Sequence, residues 1–375
     1  MKFVLIPDSF KGTLSSSQIC GIIKEKIEKH FPDSTSVCVP VADGGEGSVD
    51  AFITAVGGVK EYIPVKNPYF EIMDSYYGLI DGGKTAVIEM ASCAGLPLVE
   101  DRKNPALTTT YGVGQQILSA AKTGVDKIIV GLGGSCTNDG GCGAAAAVGI
   151  CFYDKDGKEF IPTGGTTKDI AKIDFSGKDP VLDNVDIVTM CDIDNPMYGP
   201  SGASHIFGPQ KGADPQMAEF LDEGIKNLSE IIAATLGKDI SQIPGTGAAG
   251  AMGAGMIAFF NSRLQMGIQT VLDTVKFDDM IQDADYILTG EGKLDSQSLR
   301  GKVVIGIAGR AHLQNKPVIA IVGGADDAEI QEAYEMGVSA VFPINRLPQD
   351  FSLSRHHSEE NLGYTVDNIL RLLTI

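Results

Sequence analysis

The sequence predicts an α/β protein of two domains, one of them assembled from both ends of the chain. Three observations carry this expectation. Short apolar runs alternate with helical segments over roughly the first 60 and the last 90 residues, the pattern of β-α units. The middle reads differently, with apolar runs crowded together by turn residues. The chain also has 375 residues, more than one ordinary core takes.

In order, KFVLI (2–6) is a strand that runs into the loop PDSFKG. Ser15 then opens a helix, with Gln18 three residues on to complete a capping box. SVCVPV (36–41) repeats the plan, ending in DGGEG before a helix around VDAFITAV. Next, KEYIPV, DSYYGLID and KTAVIEM read as strands joined by turns, and CFYDKDGKEF as a hairpin with Asp156-Gly157 in its turn. Between these lie the β-α pieces DKIIVGLGG and VDIVTMCD. DYILTG (285–290), KPVIAIVGG (316–324) and SAVFPI (339–344) close the chain with the same alternation as its start. Two strands at one end and three at the other make poor sheets apart, so a shared parallel sheet is expected. The expectation is a Rossmann-like α/β domain of residues 1–65 plus 281–375, with a mixed α/β domain of 66–280 inserted in it.

Composition excludes several functions. The net charge of −18, with no basic patch, disfavours nucleic acid, whose phosphates need cations. No apolar run approaches a membrane span, and the five-residue run near the N-terminus is too short for an export signal. The seven cysteines form no C-x-x-C, so they read as reduced residues of a cytoplasmic enzyme.

Three ligand-binding patterns match by letter and fail by context. GLIDGGKT (78–85) fits a phosphate-binding P-loop, which needs a helix after it to supply amides. Strand-forming TAVIEM follows instead, and Asp81-Gly82 is a hairpin-turn signal. GTGAAG (245–250) fits a dinucleotide fingerprint but follows no convincing strand, so close helix packing explains it better. GLGGSC (131–136) does follow a strand, yet its third glycine is Cys136, and Asp154 turns into a hairpin where a β-α-β unit is needed.

What remains is a set of six loops combining glycine, carboxylate and lysine at predicted strand or turn ends. They are PDSFKG (7–12), ADGGEG (42–47), GLGGSCTNDGG (131–141), CDIDNPMYGPSGA (191–203), FGPQKGA (207–213) and TGEGKLDSQS (289–298). Open α/β sheets bind ligands beyond the carboxyl ends of their strands. There, glycines admit a phosphate to backbone amides, and carboxylates hold metal or take a proton. Any one such loop is ordinary turn chemistry. Six in one chain point to phosphoryl transfer.

These loops, with GTGAAGAMGAG, closely resemble the type I glycerate kinase family, in order from residue 7 to about 302. Departures are small: Cys136 stands where alanine is more usual, and Tyr198 varies one loop. The resemblance implies two α/β domains with the active site in the cleft between them, and no P-loop. It implies ATP-dependent phosphorylation of D-glycerate, typically giving 2-phospho-D-glycerate, with Mg2+ accompanying ATP. A 3-phosphoglycerate product, a nicotinamide-dependent oxidoreductase and a non-catalytic hydroxy-acid sensor stay open as alternatives, as does a monomer or a homodimer.

On this reading Asp192 is the expected catalytic base, with Asp43 as its rival and Lys293 acting with them. Asp8, Glu46, Glu291 and Asp295 are candidates for metal or substrate-hydroxyl contacts, Asp295 above all for metal. Lys11, Lys211 and Lys293 are candidates for phosphate or the glycerate carboxylate. Amides around Gly133, Gly134 and Ser135 are expected to cradle an anion, with Asn138 and Asp139 beside them. Ser9, Gly44, Gly45, Asp194 and Gln297 complete the expected binding set. His205, with no carboxylate near it in sequence, is expected to be structural or substrate-adjacent.

Overall fold

The structure is a computed structural model and describes residues 1–41, 44–347 and 349–375. The chain forms two compact units, one of Met1–Ala42, Thr54–Val56 and Met266–Ile375, the other of Asp43–Ile53 and Gly57–Gln265.

The unit of the chain ends holds a five-stranded parallel sheet. Its order is Ala340–Pro343, Val318–Val322, Tyr286–Glu291, Lys2–Pro7, Thr35–Cys38. The two ends join where Phe3 pairs with Tyr286 and Leu5 with Leu288. Phe3, Val4, Leu5 and Ile6 are all fully buried, which is why this strand reads as a continuous apolar run. The helix Ser16–His30 starts as expected: Gln18 N donates to Ser15 Oγ, and Ser15 N donates to Gln18 Oε1 at 2.9 Å. It buries Ile19, Cys20, Ile23 and Ile27 on one face, in one core with Leu362, Val366, Ile369 and Leu370 of the last helix. The second strand stops at Cys38, short of the apolar run that continues to Val41. Val39 N still donates to Leu5 O at 2.8 Å, but Pro40 has no N–H with which to extend the ladder.

The other unit holds a six-stranded mixed sheet, ordered Arg263–Gln265, Asp186–Met190, Lys127–Gly131, Thr85–Glu89, Ile72–Ile80, Val59–Lys66. The first four run parallel, Ile72–Ile80 runs against them, and Val59–Lys66 pairs antiparallel with Ile72–Ile80. Its last strand, Val59–Lys66, pairs with Ile72–Ile80 along its whole length, so this sheet takes in residues that the expected boundary near 65 assigned to the chain ends. At the far boundary, the helices Gly267–Thr274 and Phe277–Met280 group with the chain ends, not with the inserted part. A separate antiparallel sheet carries the expected hairpin, Cys151–Tyr153 with Glu159–Phe160.

All three rejected patterns resolve in this unit. GLIDGGKT spans a hairpin: Ile80 pairs with Thr85 across a single turn, Asp81–Gly83, and Lys84 is exposed. No helix N-terminus follows to bind phosphate. Lys84→Ala should therefore leave activity within about twofold of wild type, because surface changes away from special features are nearly neutral. A large loss in a steady-state assay would reinstate the P-loop. Asp154 is taken up by its own turn, accepting from Asp156 N and Lys158 N at 2.9 Å each. GTGAAG has no strand before it and opens the helix Ala248–Phe260.

Candidate active site

Within the larger unit, the loops that follow Lys127–Gly131 and Asp186–Met190 build a buried polar cluster. Its first layer is backbone on backbone. Gly133 N donates to Gly44 O at 3.0 Å. A Cβ on Gly131 would lie 2.3 Å from Gly44 O, and one on Gly133 would lie 2.6 Å from Gly45 Cα. Glycine at 131 and 133 thus lets two chain segments cross. The Gly133 amide, expected to cradle an anion, is engaged in that crossing.

Asp139 is fully buried and saturated. Its Oδ2 accepts from Thr110 N at 2.8 Å, Thr110 Oγ1 at 2.9 Å and Gly143 N at 3.2 Å, and its Oδ1 from Gly141 N at 3.2 Å. Burial raises its pKa, and these bonds pull the other way. The carboxylate ties the starts of the helices Tyr111–Lys122 and Cys142–Ala147 together. Asp139 therefore positions the loop, where the sequence suggested a ligand contact.

Lys211 ends the short turn Pro209–Lys211 and is 1% exposed. Its Nζ donates to Ser135 Oγ at 2.8 Å and to Thr137 O at 2.7 Å. Burial lowers its pKa to about 8, against the opposing pull of Cys136 and Asp139. Asn138 Nδ2 donates to Ser204 Oγ at 3.1 Å. Yet Asn138 Oδ1 and Thr137 Oγ1 are buried with no hydrogen-bond partner. Each such atom costs on the order of 1–3 kcal/mol, and the two lie on successive residues, next to the Thr137 carbonyl that Lys211 holds. Thr137 and Ser204 were not singled out from the sequence. The polar run SCTND was the only hint for Thr137, and nothing local signals Ser204.

The loop after Asp186–Met190 is anchored by Cys191 N on Gln265 O at 2.9 Å and by Asn195 Nδ2 on Ser201 O at 2.8 Å. Asp192 is partly buried there and Asp194 exposed. Burial, with the charges of Asp192 and Asp194, pushes the Cys191 thiol up to about 11. His205 lies 3.6 Å from Glu219 and 3.9 Å from Asp222. Both carboxylates come from the helix Pro215–Leu236, too far along the chain to be foreseen. Gly44 and Gly45 are buried, whereas Glu46 and Gly134 are exposed. Asp43 lies outside the described residues.

The unit of the chain ends carries a carboxylate group of its own. Asp8 follows Lys2–Pro7, with its N on Gly290 O at 2.8 Å and its Oδ1 accepting from Ser9 N at 2.6 Å. Glu291 ends Tyr286–Glu291, is 6% exposed, and its Oε1 has no hydrogen-bond partner. Burial raises its pKa to about 7; a bond from Ser298 opposes this, and the charges of Asp8 and Asp295 add to it. Asp295 Oδ1 accepts from Gln297 N at 2.9 Å and Ser298 N at 3.3 Å. Lys302 Nζ donates to Gln297 Oε1 at 2.9 Å. Lys293 is exposed and pairs with Asp326 at 3.0 Å, and Lys11 is exposed. Among the described residues, no three His, Cys, Asp or Glu side chains are grouped to hold a metal by themselves.

Parallel strands that end in loops of glycine, buried lysine and carboxylate define an open-sheet α/β protein, the architecture that binds ligands at the carboxyl ends of its strands. The chain belongs to the glycerate kinase family, whose model matches residues 3–374. A glycerate kinase from Bacillus cereus is 43% identical over 370 residues, covering 98% of this chain and 97% of its own. A glycerate 2-kinase from Escherichia coli is 43% identical over 345 residues, covering 92% of this chain and 90% of its own. Among solved structures, a protein described as glycerate kinase 2 from Salmonella typhimurium LT2 superposes with a TM-score of 0.87 at 38% identity, covering 100% of this chain and 98% of that one.

Proposed function

We propose that this protein phosphorylates D-glycerate at the expense of ATP, releasing 2-phospho-D-glycerate and ADP. The likeness to a glycerate 2-kinase over 92% of the chain carries this reading. The chemistry is a transfer in which a glycerate hydroxyl oxygen bonds to the γ-phosphorus as the bond to the β,γ-bridging oxygen breaks. Such transfer asks for positioning and charge more than for covalent help.

Asp192, at the end of a parallel strand, takes the hydroxyl proton in this reading, and the Lys211 ammonium faces the carboxylate or phosphate of a substrate. Near-wild-type turnover in Asp192→Ala would remove Asp192 from that role. A magnesium ion that accompanies ATP would be held by Glu291 with one neighbouring carboxylate, Asp295 or Asp8, and by the phosphates themselves. Glu291 offers a buried oxygen with no protein partner, and magnesium takes only one or two carboxylates when phosphates supply the rest. When bound, the ion offsets phosphate charge. We place the enzyme in the cytoplasm; no helix among the described residues is long and apolar enough to cross a membrane.

Phosphorus NMR of purified protein with Mg-ATP and D-glycerate tests the reading. A 2-phosphoglycerate resonance growing in step with ADP is the expected result. A 3-phosphoglycerate resonance corrects the product, and no phosphorylated glycerate at all overturns the activity.

A further inference from the structure

Cysteine is scattered through this chain without a pairing rhythm, yet two of the seven thiols lie at one seam of the fold. Cys20 lies in the second turn of the helix Ser16–His30 and is 3% exposed. Its Sγ reaches Leu5 O at 3.8 Å. Leu5 is the register partner of Cys38 on the neighbouring edge strand, so Cys20 sits over the seam between those strands. Cys38 packs against the same core that contains Cys20, so both thiols lie on one side of the sheet at this seam. All seven thiols are free.

We infer that Cys20 and Cys38 form a peroxide-sensitive dithiol, in which Cys38 is the attacking thiol and Cys20 the resolving one. The roles follow from exposure and charge. Cys38 is partly exposed, whereas Cys20 is enclosed. The neighbouring Cys20 thiol most favours the Cys38 thiolate; burial acts against it, Lys24 on the same helix as Cys20 favours it, and Glu28 opposes it. Thiolate character and access are what make a cysteine reactive, and a resolving thiol in contact is the usual companion of a redox-sensing one.

The steps balance with a hydroperoxide as oxidant. The Cys38 thiolate attacks the terminal peroxide oxygen, the O–O bond breaks, and the protonated leaving oxygen departs as water or alcohol. Cys38 is then a sulfenic acid. Cys20 sulfur attacks Cys38 sulfur, its own proton goes to the departing hydroxide, and water leaves. The disulfide is two electrons more oxidised than the dithiol, and the peroxide is reduced by the same two. Where a disulfide arises in a reducing compartment, it is commonly transient and redox-sensing. Here it would tie the helix to the strand at the base of the loops beginning at residues 8 and 39.

The test is peptide mapping of the full chain, reduced, freed of reductant and treated with near-stoichiometric hydrogen peroxide, with remaining thiols then blocked by N-ethylmaleimide. The expected product is a Cys20–Cys38 linked peptide that disappears on treatment with dithiothreitol. In Cys20→Ser, dimedone should instead label Cys38, and in Cys38→Ser neither link nor label should appear at residue 20. The wild-type map decides without the variants if they fold poorly. A wild-type protein in which Cys151 or Cys191 reacts first, or in which Cys38 takes dimedone without linking to Cys20, overturns the assignment.

Discussion

Lys211→Met should lower kcat/KM for glycerate phosphorylation by roughly 100- to 1,000-fold, the range seen when one preorganised charged donor is removed from a transition state. The same change should leave the melting temperature nearly unchanged. Lys211 is 1% exposed and, among the described residues, its ammonium is held by two acceptors, Ser135 Oγ and Thr137 O. Burying a cation costs several kcal/mol that such bonds offset only in part, while an apolar side chain leaves Ser135 Oγ and Thr137 O without this donor at about 1–3 kcal/mol each, so the two effects largely cancel. A purely structural lysine would show the reverse: a falling melting temperature with turnover preserved. Enzyme kinetics and thermal unfolding on one preparation separate the two.

The pH dependence sharpens this test because activity and stability should move in opposite directions. Burial takes the Lys211 pKa from its ordinary 10.5 down to about 8. Between those values the unfolded chain binds more protons at this site than the folded chain does. The stability slope with pH is therefore positive across that window. The cost of burying the charge is felt fully below about pH 8 and is relieved as the pH climbs towards 10.5. Activity that depends on the ammonium falls over the same climb. In Lys211→Met this alkaline limb should vanish from the pH–rate profile, and its persistence there would assign the limb to another group.

How much of this was legible in the sequence depends on how far apart the interacting atoms lie along the chain. The capping box of Ser15 and Gln18 and the hairpin over Asp81–Gly83 are local, and local chemistry sufficed to place them. The buried run Phe3–Ile6 announced a parallel sheet, since only a strand covered on both faces dispenses with alternation. Distant partners were out of reach. Gly133 looked like an amide donor for an anion because Gly44 O, its acceptor, is far away in sequence. Asp139 looked like a ligand because Thr110 and Gly143 were not seen to consume its oxygens. His205 had no visible carboxylate until a later helix brought Glu219 and Asp222. The sequence therefore places these loops at strand ends, but it does not say which of their polar atoms are spent inside the fold. Residue types mark a loop as chemical, and only packing decides which polar atoms remain unspent.

The largest expected effect on the fold comes from Gly250→Ala, with neighbouring substitutions moving stability the other way. Ala249, Gly250 and Ala251 have φ of 55°, 67° and 64°, three left-handed residues in succession at the start of the helix Ala248–Phe260. The turn turns Gly250 onto the loop that holds the polar cluster. Gly140 N donates to Gly250 O at 3.0 Å, and a Cβ on Gly250 would lie 2.1 Å from Thr137 O and 2.5 Å from Asn138 Cα. Those neighbours are backbone, and Lys211 already holds Thr137 O. Nothing there yields cheaply, so the substitution should cost about 4 kcal/mol or more, a drop in melting temperature on the order of 10 °C. Ala249 and Ala251 pay a left-handed penalty of about 1–2 kcal/mol each, which glycine removes while giving back part in chain entropy. Ala249→Gly and Ala251→Gly should each raise stability by roughly 0.5–1 kcal/mol. Urea unfolding of the three variants against wild type reads both signs at once. A stable Gly250→Ala protein would mean that the left-handed turn is absent in solution, and destabilised glycine variants would mean that the alanine methyls contribute more by packing than the backbone loses by strain.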